Sequence, residues 1–188
     1  MTKFTVHTQE TAPEGSKELL AGAQKTYGFV PNLMATLAEA PIAAEAYITL
    51  GGLFDKSDLT PTEQQVILMT NNRLNGCEYC MAAHTTISGM QGVDADVITA
   101  LRDGTQLADP KLEALRVLAA QVNTQRGYLE DAQIDAFLAA GYTKGNLLEV
   151  IVGTSLKVIS NYTNHVAHTP VDAAFQANAW TAEQRAAA

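Results

Sequence analysis

Asn75-Gly76-Cys77-Glu78-Tyr79-Cys80-Met81-Ala82-Ala83-His84 carries both cysteines of the 188-residue chain, spaced Cys-x-x-Cys, with a histidine four positions after the second. Asn75-Gly76 is a turn-forming pair and predicts a break. A helix that starts at Cys77 advances by about 100° per residue, which places Cys77, Cys80 and His84 on one narrow face. Cys77 then falls at the helix N-terminus, where unpaired N–H groups and the macrodipole stabilise an anion and lower a thiol's pKa.

Composition sets the surroundings of this helix. Hydrophobic residues make up 47% of the chain and charged residues 17%, a globular rather than a disordered balance. Abundant alanine and few aromatics favour helix. The formal charge of −8 argues against nucleic acid or an anionic membrane as partner. The N-terminal residues are polar, unlike a signal peptide, and no apolar run approaches the ~20 residues that span a bilayer. The expected location is the cytoplasm, where a Cys-x-x-Cys pair is redox-active or metal-binding rather than a structural disulfide.

Working outward, Thr60-Pro61-Thr62-Glu63 predicts a helix start, with threonine as N-cap, proline at N1 and a capping-box glutamate at N3. The run Val66-Ile67-Leu68-Met69 implies burial on most sides of that helix. Ser16 is the expected N-cap of a helix ending at Gly28, and Asn32 that of a short helix before Pro41. A helix from Ile42 to about Phe54 contains Gly51-Gly52, which should weaken it or end it early. Val93-Asp94, Asp109-Pro110, Asp131 and Thr143 open further helices. The last, reaching about Ala167, is apolar around most of its circumference and reads as the central helix. Its most apolar segment, 147–159, is interrupted by Glu149 and Lys157. No segment reads as strand. The expected architecture is all-α, roughly eight helices in one domain over residues 1–188, with an extended arm at 1–15 and a tail at 172–188.

Three stretches carry a resemblance. Thr60-Pro61-Thr62-Glu63-Gln64-Gln65-Val66 followed by residues 75–84 resembles the core motif of the AhpD-like branch of the carboxymuconolactone decarboxylase superfamily. Tyr27-Gly28-Phe29-Val30-Pro31-Asn32-Leu33 resembles the N-terminal signature of its peroxidase-related members. Asn161-Tyr162-Thr163-Asn164-His165-Val166-Ala167 resembles a segment near their C-termini. The resemblance implies an all-helical fold, trimers or hexamers, and thiol-dependent peroxidase or disulfide-reductase chemistry. It puts peroxide attack at Cys80, resolution at Cys77 and a relay role at His84. The family's relay usually has a glutamate twelve residues before the first cysteine, where this chain has Gln65. A neutral amide cannot accept a proton. Glu63, two residues earlier, lies about 200° around the helix from Gln65 and substitutes for it only in a different packing register.

The expected function is therefore a thiol oxidoreductase that reduces hydroperoxides or a partner disulfide through a Cys77/Cys80 dithiol–disulfide cycle. It needs no bound cofactor, and a dithiol reductant supplies its electrons. Alternatives remain open: buried inert cysteines, a redox-sensing module, a lactone decarboxylase, or a zinc-binding module with Cys77, Cys80, His84 and one of His165 or His168 as ligands. The candidate catalytic residues are Cys80, Cys77, His84, Glu63 and His165. For Glu63 the capping box is sufficient explanation, and for His165 a core or interface position is the default. Tyr79 either bonds near the pocket or packs.

Overall fold

In the computed structural model, which describes residues 4–182, Thr60 and Glu63 form the expected capping box. The Glu63 amide donates to Thr60 Oγ1 at 3.3 Å, and the Thr60 amide donates to Glu63 Oε2 at 2.8 Å. The helix so started is the fourth of nine α-helices among the described residues, none of which form a strand. They are α1 Glu14–Tyr27, α2 Asn32–Leu37, α3 Pro41–Phe54, α4 Pro61–Leu74, α5 Glu78–Met90, α6 Ala95–Asp103, α7 Pro110–Gln125, α8 Asp131–Ala139 and α9 Lys144–Ala167. A 3-10 helix, Ala173–Asn178, follows. The all-α expectation holds, and Cys77 is the N-cap of α5.

The centre of the molecule is α4, not α9. Residues 63–73 of α4 are all buried, so α4 is covered on every side. In α9 only one face is buried: Val150, Gly153, Leu156, Lys157, Ser160, Asn161 and Asn164. Leu148, Ile151, Val158, Tyr162 and Val166 on its other side are exposed. An apolar circumference predicts burial only if partners exist on both sides, and within one chain α9 has them on one. Gly153 sets how closely α9 approaches. A Cβ there would lie 2.9 Å from Ile67 Cγ2 of α4 and 2.9 Å from Phe54 Cε2 of α3.

Three local expectations are corrected. Gly51-Gly52 does not end α3, which continues to Phe54; that ring is 2% exposed, and its burial outweighs the weak propensity of the glycines. Ser16 is not a cap, because α1 begins at Glu14; the Ser16 hydroxyl instead donates to the Ala38 carbonyl at 2.7 Å inside the fold. Asn32 is the first residue of α2 rather than its N-cap, and its amide donates to the Asp172 carboxylate at 3.1 Å. That bond ties the C-terminal segment across the start of α2. Tyr79 OH donates to the same carboxylate at 2.6 Å and accepts from the Leu33 amide at 3.2 Å. Phe175 of the 3-10 helix packs edge-on against Tyr79. Of the expected tail, residues 172–182 are thus docked, and 183–188 lie outside the described residues, as do 1–3 of the arm.

Candidate active site

The turn before α5 is built by the chain's own breakers. Gly76 has φ +67°, a left-handed conformation that glycine adopts without a Cβ penalty. Beyond it, the Cys77 amide returns to the Asn72 carbonyl at 2.9 Å. An asparagine network holds the turn from outside. Asn123 Nδ2 donates to Asn71 and Asn75, at 2.8 and 3.1 Å. Asn75 Nδ2 donates to Asn161 at 2.8 Å, Asn161 Nδ2 to Asn72 at 3.0 Å, and Asn72 Nδ2 to the Cys80 carbonyl at 3.2 Å. Each amide donor finds an acceptor, as buried polar groups must.

Both thiols are free and buried, Cys77 at 1% and Cys80 at 2% exposure. They sit in an apolar cluster with Leu33, Leu37, Ala44, Tyr79 and Phe175, with Tyr47 of α3 packed against it. Opposite them runs a polar stripe on α9: Lys157, Ser160, Asn161 and Asn164, which the i, i+3, i+4, i+7 spacing places on one face. Asn164 Nδ2 lies 3.2 Å from Cys80 Sγ and 3.6 Å from Cys77 Sγ. The other end of that amide, Oδ1, is buried with no hydrogen-bond partner. Two turns back along α9, Lys157 Nζ lies 2.9 Å from His84 Nε2. Cys80 thus meets Asn164 while His84 meets Lys157, so α5 and α9 run antiparallel through the site.

Burial alone would push Cys80 up. Against it act the Cys77 S–H bond, the Lys157 ammonium and the Ser160 and Asn161 side chains, which together bring Cys80 down to about 6. Cys77 is pushed the other way, first by its hydrogen bond to Cys80 and then by burial. Both directions make Cys80, not Cys77, the thiol that ionises first, with the Cys77 S–H as its donor. Tyr47 is raised by burial and next by the nearby Cys80 charge.

His84 stands one turn from Cys80 as the sequence predicts, but its bonds go elsewhere. An ammonium only donates, so Nε2 accepts from Lys157 and Nδ1 carries the proton. Nδ1 then donates to Gln65 Oε1 at 2.9 Å, and Gln65 Nε2 donates to Gln91 Oε1 at 3.0 Å. Burial, and then the Lys157 charge, hold the imidazole well below its usual range. Glu63 is not brought to the cysteines: its carboxylate caps α4 and pairs with Lys111 at 3.0 Å. His165 and His168 face solvent. Among the described residues, no three His, Cys, Asp or Glu side chains are grouped to hold a metal. The four zinc ligands that the spacing suggests are not brought together.

Sequence reasoning missed Lys157 and Asn164 as site residues. A charged residue inside the most apolar segment of the chain was the available signal for Lys157. Asn164 had none beyond its place in a segment that resembles other proteins.

The all-helical fold thus buries a Cys-x-x-Cys pair at the start of α5. Residues 41–108 match the model of the carboxymuconolactone decarboxylase family. That match covers less than half of the chain, and the likenesses that follow are likenesses of fold. Its fold is similar to that of the alkylhydroperoxidase AhpD core, peroxidase-related protein of Ralstonia eutropha JMP134. That likeness has a TM-score of 0.82 at 22% identity, over 92% of this chain and 93% of the other. It is similar also to a variant of the debrominase Bmp8 in complex with 2,3,4-tribromopyrrole, with a TM-score of 0.78 at 19% identity over 95% and 96% of the two chains. A peroxidase-related protein of Silicibacter sp. TM1040 gives a TM-score of 0.78 at 16% identity over 93% and 92%. No curated protein matches the chain. No helix among the described residues is long and apolar enough to cross a membrane.

Proposed function

We propose that the chain is a thiol oxidoreductase that reduces hydroperoxides, or a partner disulfide, by cycling Cys77 and Cys80 between dithiol and disulfide. The observation that carries this reading is the single Asn164 amide within reach of both sulfurs; the lowering of Cys80 and raising of Cys77 support it. A thiolate is the form that attacks. Cys80 takes the terminal oxygen of R–O–O–H, the O–O bond breaks, and ROH leaves once protonated. The sulfenic acid on Cys80 then condenses with the Cys77 thiol, forming S–S and releasing water. A dithiol reductant restores the pair. The setting is the reducing cytoplasm, and each chain is read as one domain over residues 1–188.

The orphaned Asn164 Oδ1 supports a protic substrate, because it is a buried acceptor with no donor, on the same amide whose Nδ2 meets the sulfurs. A direct test is free-thiol titration before and after one equivalent of an organic hydroperoxide. Loss of two thiols per chain, reversed by a dithiol, is expected; retention of both thiols would sink the reading.

A second reading is favoured by the apolar and aromatic walls of the site, Leu33, Leu37, Tyr79 and Phe175. Like the debrominase of the same fold, the dithiol would remove bromine from an electron-rich ring: ArBr and two thiols give ArH, HBr and the disulfide. Bromide release from a brominated pyrrole, in step with thiol loss, distinguishes it.

The exposed stripe Leu148, Ile151, Val158, Tyr162 and Val166 on α9 supports assembly into a homo-oligomer, a trimer or hexamer. Light scattering at low micromolar concentration tests this; a monomer there overturns it.

A further inference from the structure

Lys157 is 1% exposed and belongs to α9, whose other buried positions near it are apolar or neutral. A buried ammonium is costly unless an anion faces it. Among the described residues no carboxylate forms an ion pair with it. From α5, His84 bonds it, and Cys80, one turn before His84 on the same face, interacts with its charge; from α4 comes Gln65, a neutral amide behind His84; α2 has no ionisable side chain; from α3, Tyr47 packs against the Cys80 cluster. The acids of the neighbouring helices are committed elsewhere or exposed: Glu63 of α4 pairs with Lys111, Glu113 of α7 with Arg116, Glu78 of α5 accepts from the Ala182 amide, and Glu45 of α3 is exposed. Asp172 holds Tyr79 and the start of α2. The anion left to balance Lys157 is the thiolate of Cys80.

We propose that Lys157 is the counter-ion of the Cys80 thiolate and the proton donor to the oxygen that leaves when Cys80 attacks a hydroperoxide. The second half of this assignment rests on the hydroperoxide reading above; the first half does not. The ammonium has three N–H bonds. One is used on His84 Nε2, leaving two for the thiolate and the leaving oxygen. As Cys80 S⁻ bonds the terminal peroxide oxygen, the O–O electron pair passes to RO⁻. A proton from Lys157 then gives ROH and leaves a neutral amine. Sulfur is oxidised by two electrons and the peroxide reduced by two. Water leaves with the Cys77 proton when the disulfide closes, and Lys157 regains its own from solvent as the reductant reopens the pair.

His84 serves in this arrangement as a positioning residue. It accepts one Lys157 proton at Nε2 and is fixed in its tautomer by Gln65, so it holds the ammonium without competing for a proton. An acid at Gln65 would draw the cation's field away from Cys80. The glutamine is thus the residue that this arrangement needs.

The counter-ion role is tested on the reduced protein with no substrate, by ultraviolet thiolate absorbance against pH. Lys157→Met is expected to move the Cys80 midpoint upward by a unit or more, so that the thiolate fraction at acidic pH falls by about tenfold; Lys157→Arg, which keeps the cation, is expected to stay near wild type. An unchanged midpoint in Lys157→Met overturns the pairing. A second readout needs no change at Lys157: removing the thiolate in Cys80→Ser should move the carbon NMR signal of Lys157 Cε, because the charge facing the ammonium is gone. An identical Cε signal in the two proteins overturns it too. Lys157→Arg separates the donor role, because guanidinium does not give up its proton. Hydroperoxide-driven thiol loss should slow by tenfold or more in this variant at unchanged thiolate fraction; equal rates overturn the donor role alone.

Discussion

Lys157 Nζ sits 2.9 Å from His84 Nε2, a contact between residues 73 positions apart that sets the direction of every hydrogen bond behind it. Because the ammonium can only donate, His84 is the Nδ1–H tautomer, Gln65 is an acceptor and Gln91 the end of the line. A histidine so placed cannot take the Cys80 proton.

It follows that His84 stays neutral at pH 6.5, where an ordinary histidine is half protonated. Nitrogen NMR of the imidazole should show the Nδ1–H form alone there. Gln65→Glu supplies a carboxylate at Nδ1 and should raise His84, so that imidazolium appears at this pH. A wild-type His84 that titrates like a free histidine contradicts the bond pattern.

The two cysteines should separate by their roles. Cys80→Ser removes the nucleophile and is expected to abolish peroxide-driven thiol loss. Cys77→Ser keeps attack but not resolution, so it should consume one equivalent of hydroperoxide and stop at a sulfenic acid, detectable by a dimedone-type trap. Equal turnover by wild type and Cys80→Ser is the result that cannot be reconciled with the proposal.

The pH dependence follows from the Cys80 shift to about 6. Only the thiolate reacts, so the rate of peroxide reduction should climb roughly tenfold per unit below that value and level off above it. Stopped-flow consumption of hydroperoxide between weakly acidic and weakly alkaline pH reads this directly. A profile that rises only near the ordinary thiol range would show an unshifted cysteine.

Glu63 should matter for stability and not for turnover. Glu63→Ala loses the capping box and the Lys111 partner, at a cost of about 1–3 kcal/mol. Burial opposes the Glu63 charge, but the Thr60 and Lys111 bonds prevail and hold its pKa below the usual range. The sign is then fixed: the stabilisation is present above the unfolded glutamate pKa and is lost as pH falls through the folded value. Denaturant midpoints of wild type and Glu63→Ala should converge in acid, while the peroxide rate at neutral pH is the same in both.

Gly153→Ala forces a methyl to 2.9 Å from both Ile67 and Phe54, neither of which can swing clear in the core. Overpacking of this kind costs about 1–3 kcal/mol. Thermal unfolding should show a lower Tm, with Cys80 less reactive because α9 carries its partners. A Tm equal to wild type would mean that α9 shifts freely against α4.

Much of the fold is legible in local sequence. Thr60-Pro61-Thr62-Glu63 specifies the start of α4, because a capping box closes within four residues. Asn75-Gly76 specifies the turn that makes Cys77 an N-cap and sets Cys80 and His84 on one face. The limits of such reading are equally specific. Gly51-Gly52 predicts a weak helix, yet burial of Phe54 carries α3 through. The apolar girth of α9 predicts a centre, yet the central place goes to α4, since a helix pattern records which faces avoid water and not which neighbour covers them.

The sequence by itself determined that two thiols would share the first turn of a helix, a matter of spacing and of 3.6 residues per turn. Only the tertiary structure decided which thiol carries the charge and where its balancing cation lies. Asn164 and Lys157 reach the site from α9, 84 and 73 positions from the residues they touch. Electrostatic interactions act through space and strengthen where water is excluded, so the state of Cys80 depends on which helix packs against it.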